Sequence, residues 1–376
     1  MKGSWVGQLA GVGWGVPTEF EYLGRIVPEA EMPRWTPEMV NQFAEDDLYV
    51  EMTFLRTLEL HGLDVSIRQA GIDFANSRYP LWHANKQGRN NLRAGIAPPD
   101  SGHPQFNPHA DDIDYQIESD FSGLISPGMP NRVIALGNTF GHLMNHGDGV
   151  YGGQFIGGMY AEAFFESDIE KIIAAGLACI PAQSQYHECV CDVLAWYHQH
   201  PNDWVATWRR IDEKYHRNLD YRRASCGKED FNIDAKINGA YVLMGLLYGG
   251  GDPDRTITIA TRCGQDSDCN PSSAAGVLFT IIGYDRVPDR FKSRLEMNTK
   301  FSFTPYDFTG LVEVCSNLAR ASVVHAGGHV ESTPEEGDVF VIPVRDVHPI
   351  QLEQSWAPQP ASENRYSDAE RAQISD

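Results

Sequence analysis

Apolar residues recur at spacings of three and four along most of this 376-residue chain, and that period is typical of amphipathic helices. Leu48, Met52 and Leu55 follow it in a predicted helix over residues 47–61. Further helical patterns cover residues 131–143, 152–165, 168–177, 186–198, 202–216, 234–248, 256–261, 271–283 and 308–325. Helical patterns greatly outnumber strand patterns, so we predict an all-α fold class.

The remaining segments predict one domain with a small β element near its C-terminal end. Residues 338–344 (DVFVIPV) form the one convincing strand pattern, in a peripheral hairpin. Residues 76–108 are rich in Asn, Gly, Pro and His and lack periodicity, so we expect an irregular loop that borders a cleft. No repeat or central linker occurs. We therefore expect a single domain at residues 1–352 and a polar, mobile tail at 353–376.

The charge balance limits the partners of the protein. Thirty Lys and Arg against 51 Asp and Glu give a net charge of −21, which repels phosphate backbones and anionic lipid. We therefore expect a small-molecule or glycosylated substrate and no binding to nucleic-acid backbones or membranes. No apolar run approaches the roughly 18 residues of a membrane span. We expect a cytoplasmic protein, with export after removal of a leader as the alternative, and the oligomeric state stays open.

An acidic loop precedes the most apolar helical pattern of the chain. Asp266 and Asp268 lie in this loop, with Asn270 as the expected helix cap and Pro271 at the first helical position. A lone D-x-D is more often a hydrogen-bonded turn than a site. Here the flanking apolar helix implies partial burial, and buried carboxylates need a proton or a cation. Oxygen ligands favour Mg²⁺, with Ca²⁺ or Mn²⁺ as alternatives.

A second acidic group, Glu45-Asp46-Asp47, opens the predicted helix 47–61. The partial positive charge of a helix N-terminus stabilises such acids, although they repel one another. Taken alone, this group is typical of a solvated acidic cap.

Glycines spaced four residues apart mark the N-terminal segment. Gly7, Gly11 and Gly15 predict a helix face that approaches a neighbour closely, and Pro17 and Glu19 follow. Helix packing explains the glycines completely. It does not explain the acid at Glu19.

Two further segments combine polar residues with turn formers. His146, Asp148 and Tyr151 open a glycine-rich helical pattern, and Asp120 precedes a Pro-Gly-x-Pro turn at residues 127–130. Turn chemistry accounts for most of the glycines and prolines. The polar side chains remain candidates for substrate binding.

These motifs together resemble the ADP-ribosylglycohydrolase family. GQLAGVGWGVPTEF resembles its amino-terminal signature, EDDLYVEMTF its Asp-Asp helix, and GQDSDCNPSSAAG its carboxy-terminal metal loop. QIESDFSGLISPGMPN and HGDGVYGGQFIGGMYAEAF also resemble bacterial members. The motifs occur in the family's order, and the likeness covers about residues 3–298.

The resemblance implies an orthogonal multi-helix domain that holds one or two Mg²⁺ ions in a cleft. Carried over by position, the metal ligands are Glu45, Asp46, Asp47, Asp266, Asp268 and Cys269. The family usually has hydroxyl residues at the places of Glu45 and Cys269. It also usually has Asp where this chain has Val12.

The function implied is hydrolysis of a glycosidic bond at an anomeric carbon, most simply of an ADP-ribosyl or related ribosyl substrate. Glu19 matches the family's acid near the ribose, and Glu19, Asp47 or Asp268 would move the proton. The transition state of such bonds resembles an oxocarbenium ion, which nearby carboxylates stabilise.

Two alternatives remain at this stage. One is a divergent glycoside hydrolase that acts on another sugar in the same cleft. Trp82 and His83, in the predicted loop, offer stacking and hydrogen bonding to a sugar, although they could equally pack the loop. The other is a non-catalytic binding or structural protein on this fold. Four clustered acids argue against it, because a scaffold gains little from them.

Overall fold

The computed structural model describes residues 1–223, 230–333 and 337–375, and within these ranges the chain is mainly helical. The α-helices are α1 (Lys2–Gly15), α2 (Asp46–His61), α3 (Ile67–Ala75), α4 (His83–Arg93), α5 (Asp114–Ile117), α6 (Asp120–Leu124), α7 (Pro130–Phe140), α8 (Asp148–Ala163), α9 (Ile169–Ala178), α10 (Gln185–Gln199), α11 (Trp204–Ile211), α12 (Ala235–Gly249), α13 (Pro253–Arg262), α14 (Cys269–Ile282), α15 (Phe308–His325) and α16 (Asp368–Arg371). A five-residue π-helical segment, Asp212–His216, continues α11. The predicted all-α fold is confirmed.

Helices α1 and α14 pack against each other at the centre. Glycines of α1 spaced four residues apart each face a backbone carbonyl of α14: Gly3 faces Phe279, Gly7 faces Ala275, and Gly11 faces Pro271. A Cβ atom at any of them would overlap that carbonyl, because the two backbones are nearly in contact. The residue numbers rise along α1 as they fall along α14, so the helices are antiparallel. This arrangement puts the end of α1 beside the start of α14.

Helices α8 and α12 complete the centre. Every residue of α12 is buried, and α8 is buried along all but one of its positions. They pack against α14, and one or both of them also contact α5, α6, α7, α9, α10, α11 and α13. Within the described ranges, no helix combines the length and apolar character that crossing a bilayer requires.

Residues 76–108 differ from the prediction of an irregular loop, because they contain α4. The buried face of α4 consists of Ala84, Asn85, Gly88, Asn91 and Leu92. The Asn91 amide donates to the carbonyls of Ser101 (2.8 Å) and Phe106 (3.0 Å). Since this helix buries amides and a glycine, no apolar period is visible in its sequence.

The β element is a two-stranded antiparallel hairpin of β1 (His329–Thr333) and β2 (Gly337–Val341), with His329 opposite Val341. It lies on the surface beside α15. The predicted strand at 338–344 overlaps β2, which ends three residues earlier.

The segment after residue 352, expected to be a polar, mobile tail, makes specific contacts with the domain. Arg68 forms a 2.6 Å ion pair with Glu370, and Tyr366 is buried. The Asp100 carboxylate accepts hydrogen bonds from the backbone N–H groups of Ser362 (3.0 Å) and Asn364 (2.7 Å). The described part of this segment therefore packs on the domain. Polar contacts hold most of it, so its sequence carries no apolar pattern.

Candidate active site

Two helix N-termini meet at the floor of a cleft. Asp46 and Asp47 occupy the first turn of α2, and Asp268 occupies the N-cap position of α14, two residues after Asp266, without a side-chain capping hydrogen bond. Ligand atoms of Asp46, Asp47 and Cys269 lie within 4.8 Å of one another, and so do those of Asp266, Asp268 and Cys269. Cys269 therefore lies between two pairs of acids that are 219 positions apart in sequence (266 minus 47). Both helix N-termini direct partial positive charge at this point.

The loop that carries Asp266 and Asp268 is held by Gln265. This residue has a positive φ of 58°, directly after Gly264 at 83°. Its side-chain oxygen accepts from the N–H of Asn232 (2.9 Å), and its side-chain amide donates to the carbonyl of Asp230 (2.6 Å). These bonds offset the strain of the left-handed backbone. Helix α14 then begins at Cys269, two residues before the predicted start at Pro271.

The cleft has a volume of about 460 Å³ and two unlike sides. Its acidic side consists of Glu19, Glu45, Asp46, Asp114 and Asp266. Its apolar side consists of Phe20, Ile113, Ile117, Phe231 and Ile233, with Tyr49, Trp82 and His83 also in the lining. Glu19 reaches the cleft because α1 ends in a short 3-10 turn, Val16–Thr18, directly before it.

Burial and mutual repulsion raise the pKa values of these acids. Burial, followed by the nearby charges of Asp268, Asp46 and Glu45, raises the pKa of Glu19 to about 8. Burial and the Asp268 charge raise the pKa of Asp46 to about 7. The pKa values of Asp47 and Asp266 lie well above the usual range for the same two reasons. Without a cation, several of these groups would hold protons near neutral pH.

The donor set fits a hard divalent cation. Within the group of four aspartates, Asp47 Oδ1 and Asp268 Oδ1 are buried oxygens without a hydrogen-bond partner. Such atoms are costly to bury unless a ligand satisfies them. Carboxylate oxygens from four residues match the preference of Mg²⁺, Ca²⁺ or Mn²⁺. Cys269 is a soft ligand, and burial raises its pKa well above that of a free thiol, so it is the least suitable member.

The structure gathers most of the residues singled out from the sequence. Glu19, Glu45, Asp46, Asp266 and Cys269 line the cleft, and Asp47 and Asp268 lie buried beside them. Trp82 and His83 also line the cleft, and Trp82 is 51% exposed. The segment expected to border a cleft does so through these two residues.

Four other candidates do not line the cleft: Asp120, His146, Asp148 and Tyr151. Asp120 is buried and accepts a 2.6 Å hydrogen bond from the Tyr160 hydroxyl. Asp148 is buried and accepts from the N–H of Tyr186 (3.1 Å) and from Lys236 Nζ (3.3 Å). These carboxylates already have partners inside the domain.

His146 and Tyr151 lie beside the C-terminal segment. The Tyr151 hydroxyl accepts a 2.6 Å hydrogen bond from the N–H of Glu353, and His146 lines a separate cavity. The position of these residues beside a glycine-rich turn in the sequence therefore did not indicate whether they line the cleft.

Asp114, Phe20 and Phe231 line the cleft but were not singled out from the sequence. Asp114 is 5% exposed, and its Oδ1 accepts from the N–H of Asn85 (2.8 Å). The rings of Phe20 and Phe231 are 5.0 Å apart and form a continuous apolar surface. No periodic element contains the two phenylalanines, so the sequence offers no pattern for them. Phe20 directly follows Glu19, which is the one available hint.

Comparison with known proteins identifies the family. The sequence profile of the ADP-ribosylglycohydrolase family matches residues 1–325. A solved structure described as an "ADP-ribosylglycohydrolase-related protein complex" is similar with a TM-score of 0.54 and 14% identity, over 85% of this chain and 97% of that one. At this identity, the structural likeness concerns the fold alone. No curated protein matches the chain. The chain belongs to the ADP-ribosylglycohydrolase family and is a glycosyl-bond hydrolase.

Proposed function

We propose that the protein hydrolyses the glycosidic bond of an ADP-ribosyl or related ribosyl substrate and depends on a divalent cation. The observation that carries this proposal is the convergence of Asp46, Asp47, Asp266 and Asp268 at the floor of the cleft, with two unpartnered buried oxygens among them. Four uncompensated acids in one buried place would destabilise the fold. Their presence together favours a bound cation over a purely structural role.

The four aspartates would hold the cation, and Mg²⁺ is the first choice. When bound, such an ion supplies Lewis acidity toward water and sugar hydroxyls. It also offsets the repulsion between the acidic side of the cleft and a diphosphate-bearing substrate. The aspartates themselves stabilise positive charge that develops at the anomeric carbon.

Glu19 is the proposed proton donor. Burial, the largest cause, raises the pKa of Glu19, and this favours the protonated carboxyl that a general acid needs. Breaking the glycosidic bond leaves an electron pair on the departing group, which takes up the Glu19 proton. Water then contributes its oxygen to the anomeric carbon, and its proton returns to the carboxylate.

The apolar side of the cleft would receive the remainder of the substrate. Phe20, Phe231 and Ile113 present ring and aliphatic surface, and Trp82 adds an exposed ring at the edge. A flat apolar ring system, such as a nucleobase, fits this surface because stacking buries apolar area without needing hydrogen bonds.

The test is hydrolysis of a panel of ADP-ribosyl compounds and aryl glycosides, with Mg²⁺ and with a chelator. We expect release of ADP-ribose that stops on chelation and returns with added Mg²⁺. Undiminished turnover in the chelator would refute cation dependence. Failure to cleave any ADP-ribosyl compound would refute the substrate class.

A divergent glycosidase remains the second candidate, and the exposed ring of Trp82 favours it. A half-exposed tryptophan at a cleft edge suits stacking against the face of a sugar. In the same panel, turnover of an aryl glycoside without turnover of ADP-ribosyl compounds would select this function.

A further inference from the structure

A second cluster of metal-binding side chains lies away from the cleft. His142, His146 and Glu353 each offer one ligand atom, and these three atoms lie within 4.8 Å of one another. They line a cavity of about 490 Å³ that has no lining residue in common with the cleft. Two of the three residues come from the connection between α7 and α8, and the third comes from the C-terminal segment.

The two distances from Glu353 to the histidines suit a tetrahedral ion. His142 Nε2 is 3.1 Å from Glu353 Oε2, and His146 Nδ1 is 3.5 Å from the same oxygen. Zinc binds histidine nitrogen and carboxylate oxygen at about 2.0–2.2 Å, so adjacent ligands of a tetrahedral ion are about 3.4 Å apart. Both distances lie close to that value.

Hydrogen bonds orient two of the ligands. His142 Nδ1 lies 3.2 Å from the carbonyl of Asn138, which can only accept, so Nδ1 carries the proton and Nε2 is turned toward Glu353. A histidine ligand commonly has its other ring nitrogen bound in this way. The N–H of Gly147 donates to Glu353 Oε2 (3.2 Å), while the N–H of Glu353 donates to Tyr151 (2.6 Å). Glu353 is thus held at both its side chain and its backbone.

A neighbouring histidine provides a contrast. The ring of His103 is 5.1 Å from that of His146, yet both of its nitrogens are engaged. Its Nε2 is 2.9 Å from the carbonyl of Gln359, and its Nδ1 accepts from the N–H of Gln105 (3.1 Å). His103 therefore borders the cavity without offering a free ligand atom.

We propose that His142, His146 and Glu353 form a binding site for a divalent transition-metal ion of the zinc type, with its fourth position open to the cavity. Two imidazoles and one carboxylate favour Zn²⁺ over Mg²⁺, which prefers an all-oxygen set. The bound ion joins the C-terminal segment at Glu353 to the domain at His142 and His146. This site is independent of the proposed catalytic centre.

The experiment measures Zn²⁺ binding to the full chain. Bound metal is first removed, and excess Mg²⁺ is then added so that it occupies the carboxylate cluster. Binding is followed by calorimetry and by metal content after dialysis. We expect each chain to bind one Zn²⁺ in addition to Mg²⁺. We also expect Tm to rise, because a ligand that binds only the folded state stabilises it. His146→Gln should weaken this binding by at least about 100-fold, since it removes a direct ligand.

His103→Gln is the matched control, because it alters a histidine of the same cavity that the proposal excludes as a ligand. It should keep the affinity of the wild-type chain. Glu353→Gln gives a second variant of nearly equal volume, should His146→Gln fold poorly, and it should also weaken Zn²⁺ binding. Equal Zn²⁺ affinity in the wild-type chain and in a folded ligand variant would overturn the proposal. A wild-type chain that binds no Zn²⁺ in excess Mg²⁺ would overturn it as well.

Discussion

The hydroxyls of Thr18 and Ser267 lie 2.9 Å apart and share a hydrogen bond across 249 positions of sequence. Thr18 donates to the carbonyl of Gly15 (2.9 Å), so the Ser267 hydroxyl is the donor to Thr18. This bond joins the residue before Glu19 to the residue between Asp266 and Asp268. The hydrogen bond therefore fixes the position of the proposed proton donor relative to the proposed metal loop.

Replacing Glu19 by Gln removes the transferable proton with little change of volume. We expect kcat to fall by about 10²–10⁴-fold, the usual contribution of a general acid. Steady-state kinetics at saturating Mg²⁺ measure it. Glu21→Gln, two residues away and exposed, should leave kcat unchanged. A wild-type kcat in Glu19→Gln would assign the proton to another group.

Asp268→Asn tests the metal loop. We expect Mg²⁺ or Mn²⁺ affinity to fall tenfold or more, about 1.4 kcal/mol, because one carboxylate charge is lost. The folded state should be as stable as before or more so, since repulsion among the acids is reduced. Calorimetric metal titration measures the affinity. Asp289→Asn is the control, because the Asp289 side chain is 92% exposed. Unchanged affinity would mean that Asp268 is not a ligand of the cation.

Trp82→Ala tests the edge of the cleft. We expect KM to rise by about threefold to tenfold for substrates that stack on this ring, and metal affinity to stay constant. Kinetics on at least two substrates are needed, because the effect should differ between them. Phe165→Ala, at a 64% exposed ring outside the cleft, is the control. If all substrates slow equally and stability also falls, Trp82 serves packing and not specificity.

The raised pKa of Asp114 predicts that the stability of the fold depends on pH. Burial, followed by the Asp112 charge, raises the pKa of Asp114 to about 8. A folded-state pKa above the unfolded value gives stability that is complete below about pH 4 and is lost as the pH rises through 8. The contribution is up to about 6 kcal/mol, at about 1.4 kcal/mol per pK unit.

Asp114→Asn should therefore gain stability relative to the wild-type chain between pH 4 and pH 8. Denaturant unfolding of both proteins at several pH values measures the difference in free energy. Asn can still accept the hydrogen bond from Asn85, so the local contact is retained. A difference that does not change with pH would show that Asp114 titrates normally.

Gly11→Ala tests the packing of α1 on α14. The added Cβ would overlap the carbonyl of Pro271, whose movement would also shift the loop before it. We expect a loss of about 1–3 kcal/mol in the free energy of unfolding. Gly310→Ala, where a Cβ would have only an ordinary contact of 3.4 Å, is the control. Equal stability of the two variants would contradict the close packing.

Sequence patterns predicted the fold where burial follows a helical period. Helix α15 spans Phe308–His325 as predicted, because apolar residues line one face and Asp307 caps its start. Helix α4 was missed because its buried face carries asparagines and a glycine in place of a period of apolar residues. Burial of the asparagines depends on hydrogen bonds to other segments, such as the bond from Asn91 to the carbonyl of Ser101.

The acidic half of the site could be predicted, and the apolar half could not. Asp46, Asp47, Asp266 and Asp268 stand in short motifs at helix starts, so their types and spacing are visible in the chain. Phe20 and Phe231 are in contact because two loops far apart in sequence converge, so no local sequence pattern indicates their contact.

The pairing of α1 with α14 has a consequence for the order in which a nascent chain matures. Helix α1 is buried from Gly3 to Gly15, yet its main partner begins 254 residues later (269 minus 15). At about 5–20 residues per second, a ribosome needs roughly 13–50 s to produce that partner. During this interval the glycine-lined face of α1 has no surface to cover it, and half of the acidic centre does not yet exist. Helix α1 must therefore be shielded or remain unfolded until α14 has been synthesised.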